Sequence, residues 1–182
     1  ILGESQAQQA SGATAAASWS EYSDFLSAFG KYAIDIDGVG VELVYGVQLG
    51  NAGRDVTTDY NDLDETAYSV LLTYGNFAAD YRKNDAGDSG RPKNDGSGNN
   101  EGTSICATYT MGNVGVGYCN IDTTFTTSSN TTNENKMFTY NAEYQLGGGV
   151  SLSATYFDHE QTENSVVDTD AEGILTRLAI GF

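Results

Sequence analysis

The sequence predicts an all-β fold, a transmembrane antiparallel up-and-down β-barrel, and three observations carry that prediction. Tight turns recur at nearly equal intervals, at Asp37-Gly38, Gly75-Asn76, Gly112-Asn113 and Gly147-Gly148-Gly149. The segments flanking each turn alternate apolar with polar residues, the period of a strand with two different faces. Between the hairpins lie long linkers, residues 50–65, 84–102, 124–136 and 159–172, rich in Asp, Asn, Gly, Ser and Thr. Short connections at one edge and long ones at the other describe a single domain over residues 1–182 whose wall encloses a pore.

Taken in order, residues 1–28 are small and polar until Trp19, Tyr22, Phe25 and Leu26, and read as a loop and strand approach. A helix over residues 19–29 is the alternative there. A nine-strand meander fills residues 29–182. A type I′ turn at Asp37-Gly38 pairs Ile36 with Val39, Ile34 with Val41 and Tyr32 with Leu43, all apolar. Lys31, Asp35, Gly40, Glu42, Gly46 and Gln48 take the other face, with Ala33 and Val44 as small intrusions.

The second turn pairs Tyr74 with Phe77, Leu72 with Ala79 and Val70 with Tyr81, leaving Ser69, Thr73, Asp80 and Arg82 behind. The third pairs Met111 with Val114, Tyr109 with Val116 and Ala107 with Tyr118. At the glycine turn, Leu146, Tyr144, Ala142 and Tyr140 face Val150, Leu152, Ala154 and Tyr156. The final strand, residues 173–182, sets Ile174, Leu178, Ile180 and Phe182 on its apolar face and Arg177 on the other. Most strands read as eight to ten residues, near the roughly 9 to 11 that a tilted strand needs to cross a bilayer.

Composition narrows the class further. The 182 residues include 22 Gly, one Pro and 12 Tyr, and 39% are hydrophobic, yet no run nears the roughly 18 apolar residues of a spanning helix. A net charge of −17, assigned mostly to the linkers, disfavours nucleic acid and draws cations to the loops. The chain starts at Ile1, as a processed product or fragment would. A soluble β-sandwich also needs one apolar face per strand, but the aromatic positions favour the barrel. Tyr74, Phe77 and Phe182 sit near the tight turns, and Tyr45, Tyr81, Tyr118 and Tyr156 toward the linkers, like the two girdles of a barrel at its lipid interfaces.

The terminal run Gly173-Ile-Leu-Thr-Arg-Leu-Ala-Ile-Gly-Phe182 resembles the C-terminal strand of Gram-negative outer-membrane proteins, which the barrel-assembly machinery reads. The hairpins over residues 68–84, 104–118 and 138–157 resemble those of alphaproteobacterial general diffusion porins. That resemblance implies a sixteen-stranded homotrimeric barrel in outer-membrane lipid, of which the nine strands here are the C-terminal part. It also implies an assembly signal on Ile174, Leu178, Ile180 and Phe182, and places the constriction loop upstream.

Several residues are candidates for chemistry. Cys106 and Cys119 fall opposite each other around the third turn, at a non-hydrogen-bonded pair whose Cα atoms should lie about 4.5 Å apart, so a disulfide on the polar face is expected. The pore-lining ionisable residues by parity are Lys31, Asp35, Glu42, Asp80, Arg82, Glu143 and Arg177, four acidic and three basic. Asp80 and Arg82 share one strand face and can neutralise each other. Asn94-Asp95-Gly96 with Asn99, Asn100 and Glu101 offers oxygen ligands for Ca²⁺ outside the barrel, but without the EF-hand order it reads as solvated, mobile loop. No other metal or cofactor is expected. His159, the only histidine, is placed in the last linker with no nucleophile tied to it, so the chain reads as no enzyme.

The expected function is passive diffusion of ions and small hydrophilic solutes through a water-filled channel, with a mild cation preference. A small non-conducting barrel acting as adhesin or anchor is the alternative, and a soluble extracellular β-domain a third.

Overall fold

A computed structural model describes residues 22–52, 59–93, 96–127, 131–163 and 166–181. It contains nine strands: β1 (Tyr22–Ile36), β2 (Val39–Ala52), β3 (Leu63–Tyr74), β4 (Phe77–Gly87), β5 (Gly98–Met111), β6 (Val114–Thr126), β7 (Thr132–Gly147), β8 (Val150–Glu163) and β9 (Val166–Ile180). They form one antiparallel sheet in chain order, each strand paired with the next. Among the described residues there is no helix, and β1 and β9 each have one unpaired edge. Among the described residues no pairing of β1 with β9 closes the sheet.

Turn chemistry sets the register. Asp37 and Gly38 both hold positive φ, 53° and 83°, as a type I′ turn requires, and Asp35 Oδ1 accepts the Gly38 N–H at 3.1 Å. Gly75 and Gly112 have φ of 54° and 57° while the asparagines after them do not turn positive, which fits type II′. The expected partners follow: Ile34 pairs with Val41, Leu72 with Ala79 and Tyr109 with Val116. At the glycine turn Gly147 pairs with Val150 after a register shift, so Leu146 does not face Val150 as expected.

The strands are longer than the sequence suggested, 11 to 16 residues, and run well into the expected linkers. Asp64, Glu65, Asp85, Glu101, Glu134, Glu160 and Glu172 therefore stand on strands rather than in loops. Backbone pairing continues where alternation of hydrophobicity has stopped. The helix over residues 19–29 is corrected for its described part, which lies in β1; Trp19 lies outside the described residues. Tyr22, Phe25, Leu26 and Phe29 mimic a helical spacing because a register shift between Ser23 and Leu26 throws the strand out of simple alternation.

Burial is the unusual property of this sheet. Among the described residues the only buried apolar side chains are Tyr60, at 8% exposure, and Leu63, at 6%. Tyr60 lies in the segment before β3, and Leu63 opens β3 beside Asp64, whose N–H donates to Ser89 Oγ at 3.0 Å. The segment before β3 bridges to the β4–β5 connection through Tyr60 and Pro92, with Asn61 N–H donating to Arg91 O at 2.8 Å and Lys93 N–H to Asp59 O at 2.8 Å. Residues 88–93, part of the expected linker 84–102, are thus tied to the β2–β3 connection. Among the described residues nothing packs against either face of the main sheet, and Leu43, Leu72, Leu152, Leu178 and Ile180 are exposed.

Candidate functional site

The register sorts side chains into two faces, because successive residues of a strand point to opposite sides. On the first face, polarity changes in order along the strands. Tyr74 and Phe77 stand at the second turn on this face, with Tyr109 and Tyr144 also toward the turn ends, and among and beyond them lies an aliphatic zone that includes Val41, Leu43, Val70, Leu72, Val114, Val116, Leu152 and Leu178. Tyrosines follow. Tyr45 pairs with Tyr68, Tyr118 with Tyr140 and Tyr140 with Tyr156, and ring centroids lie 5.8 Å apart for Tyr68–Tyr81, 5.1 Å for Tyr118–Tyr140 and 6.3 Å for Tyr140–Tyr156. Tyr68 and Tyr140 join the row that the sequence had located through Tyr45, Tyr81, Tyr118 and Tyr156.

Beyond the tyrosines the same face is charged. Lys83 pairs with Glu101 at 3.0 Å and Lys136 with Glu134 at 3.0 Å, with Asp122 opposite Lys136 and Asp158 opposite Glu172. Tyr156 donates its hydroxyl to Glu172 at 2.9 Å, linking the two zones. The order aliphatic, tyrosine, charge recurs on β3, β4, β6, β7 and β8, whereas on β2 Val47 and Leu49 follow Tyr45. The tyrosine row also descends: Tyr68 stands opposite Lys83, and Tyr81 lies nearer the turn. The turns descend with it, since Phe77 pairs with Tyr109 and Met111 extends beyond. The apolar zone is thus a band slanted relative to the hydrogen-bonding direction.

The second face carries every ionisable residue assigned to it. Lys31 is bound to Glu42 at 2.7 Å and Arg82 to Asp80 at 2.7 Å, two ion pairs on neighbouring parts of the sheet. Asp35 is occupied by its turn, Glu143 accepts the Gln145 side-chain amide, and Arg177 stands opposite Ser153. Cys106 and Cys119 are direct partners with Cα atoms 4.1 Å apart and are joined by a disulfide. Ile174, Leu178 and Ile180 lie exposed on the first face of β9, and Phe182 lies outside the described residues.

No protein-family model, curated protein or solved structure matches the chain.

Sequence reasoning missed part of the second face. His159 is on β8, opposite Met137 and Ala171, not in a loop. Ile121, Met137, Phe157 and Leu71 share this face with the charges, so it is less polar than its alternation near the turns suggested. Extending the last two hairpin registers by three residues would have found His159, Ile121, Met137 and Phe157, and Leu71 lies within the second register as drawn. Asn94 and Asp95 of the proposed Ca²⁺ loop lie outside the described residues, and among the described ones no three Asp, Glu, His or Cys side chains are grouped to hold a metal.

Proposed function

We propose that this sheet is part of the wall of an outer-membrane β-barrel, a channel through which ions and small hydrophilic solutes diffuse passively. The observation that carries the proposal is the uncovered first face with its fixed sequence of zones. A contiguous apolar surface of this extent is untenable in water for a monomeric protein. Hydrocarbon against the aliphatic band, headgroups at the tyrosines and water at the charged ends match each zone to a solvent. The slant of the band supports the same reading, because strands in a barrel are tilted by about 35–45°.

With the first face toward lipid, the second faces the lumen. Its hydroxyl, amide and ion-paired side chains offer solutes a hydrogen-bonding wall, and its paired charges leave little net field. The resemblance to general diffusion porins adds the expectation of a trimer. Reconstitution of the refolded protein into a planar lipid bilayer tests the channel: discrete conductance steps are expected. A protein that is monodisperse in water without detergent and gives no steps sinks the reading.

A further inference from the structure

The second face is hollowed over β6. At two successive inward positions this strand has glycine, while both neighbours carry polar side chains: Gly115 lies between Thr110 and Glu143, and Gly117 between Thr108 and Asn141. The result is a trough of about 510 Å³, closed at one end by the Cys106–Cys119 disulfide. That volume lies within the roughly 300–1,000 Å³ range of small-molecule sites.

Backbone geometry does not demand these glycines. Neither has positive φ, the ladder runs through both without a bulge, and a Cβ on Gly115 would meet nothing within 4 Å. A Cβ on Gly117 would make only ordinary contacts, the nearest at 3.5 Å to Thr108 Cγ2. Glycine inside a strand weakens it, and where no bulge or bend accounts for it the residue marks a place that another group approaches closely.

The trough's chemistry selects among such groups. Its floor is glycine Cα and disulfide sulfur, both apolar, while its rim is hydroxyl, amide and carboxylate. Asn141 donates Nδ2–H to Thr155 Oγ1 at 2.8 Å, which holds the amide plane and leaves its oxygen as an acceptor. Glu143, held by Gln145, is the one charge in the lining, and it opposes anions. A ring with apolar faces and a hydroxylated edge complements this arrangement.

We infer that the trough over Gly115 and Gly117 is a weak binding subsite for neutral cyclic polyols of mono- to disaccharide size. The inference rests on the channel reading and names the solute class that this part of the wall favours. Binding is weak because water competes at an open wall, and transit requires that a bound solute leave again.

Saturation-transfer NMR of the protein folded in detergent micelles, with methyl α-glucopyranoside as probe, reads occupancy without needing conductance. The native protein should transfer saturation to the glycoside, and Gly115→Leu, which fills the hollow, should reduce it several-fold with strand content by circular dichroism unchanged. Asn141→Leu provides a second variant that removes rim hydrogen bonding, and it should weaken transfer likewise. Gly46→Ala, a glycine change on the same face outside the trough, should leave transfer intact. No transfer to the native protein overturns the inference, as does equal transfer to native and Gly115→Leu protein, or displacement of the glycoside by potassium ions. Transfer that persists in a protein giving no bilayer conductance supports the subsite and strikes only at the channel.

Discussion

Leu152 and Ser153 are neighbours on β8 that point to opposite faces, and an arginine at each separates lipid from water more sharply than any composition argument. Leu152 lies on the aliphatic band, 49% exposed, opposite Tyr144 and Leu178. It is four residues from Tyr156, so at about 3.3 Å per residue and a tilt of about 40° it sits roughly 10 Å below the tyrosine row, close to the middle of a band about 25 Å tall. Arginine facing lipid at that depth costs about 2–4 kcal/mol. Converted at about 1.4 kcal/mol per tenfold, the folding equilibrium falls by a factor of about thirty to several hundred.

Ser153 stands between Glu143 and Arg177 on the other face, where the guanidinium stays hydrated and the cost should be within about 0.5 kcal/mol. Urea titration of folding into phospholipid vesicles measures both. If the first face met water instead, Leu152→Arg would exchange one exposed side chain for another and change stability by no more than about 0.5 kcal/mol. Equal stabilities for Leu152→Arg and Ser153→Arg therefore refute the assignment of faces.

Replacing both Cys106 and Cys119 by Ser releases a crosslink spanning 13 positions, and chain entropy predicts a loss of about 2–3 kcal/mol. A lowered urea midpoint that added reductant reproduces in the native protein is the expected result, and an unmoved midpoint contradicts it. Arg82→Gln leaves the carboxylate of Asp80 without its 2.7 Å partner, so reversal potentials in a salt gradient should move toward greater cation selectivity. A shift toward chloride would place Asp80 away from the conducting path. Leu63→Ala truncates one of the two buried apolar side chains among the described residues, and large-to-small changes at buried sites cost about 2–5 kcal/mol. Because Leu63 is adjacent to Asp64, whose N–H is bonded to Ser89 of the β4–β5 connection, faster tryptic cleavage after Lys93 is expected, while unchanged cleavage would show the connection held by its backbone bonds alone.

The hairpins were legible because two-residue turns fix register: once Gly75-Asn76 is a turn, Leu72 has no partner but Ala79. Parity carried the charged residues with it, which is why Lys31, Glu42, Asp80 and Arg82 were assigned to one face before any partner was known. Strand length was not legible. Beyond the tyrosines both faces carry polar residues, as at Lys83 and Asn84 or Asp122 and Thr123, and alternation gives no signal where neither side is apolar. The trough was also hidden, since Thr110, Gly115 and Glu143 become neighbours only when two successive registers are composed.

The edges of the sheet impose a further condition on the membrane reading. With nine strands alternating in direction, β1 and β9 run the same way, so direct closure of one on the other would be a parallel seam. Each edge is a 15-residue strand, and about half of its N–H and C=O groups point away from the sheet. In hydrocarbon each unsatisfied group costs several kcal/mol, and water is not there to compensate. The sum over either edge exceeds the roughly 5–15 kcal/mol by which folded domains are stable. Lipid therefore cannot be the neighbour of these edges. An antiparallel partner for both, in a wall without a parallel seam, requires an odd number of strands between β9 and β1, and the lumen grows with that number.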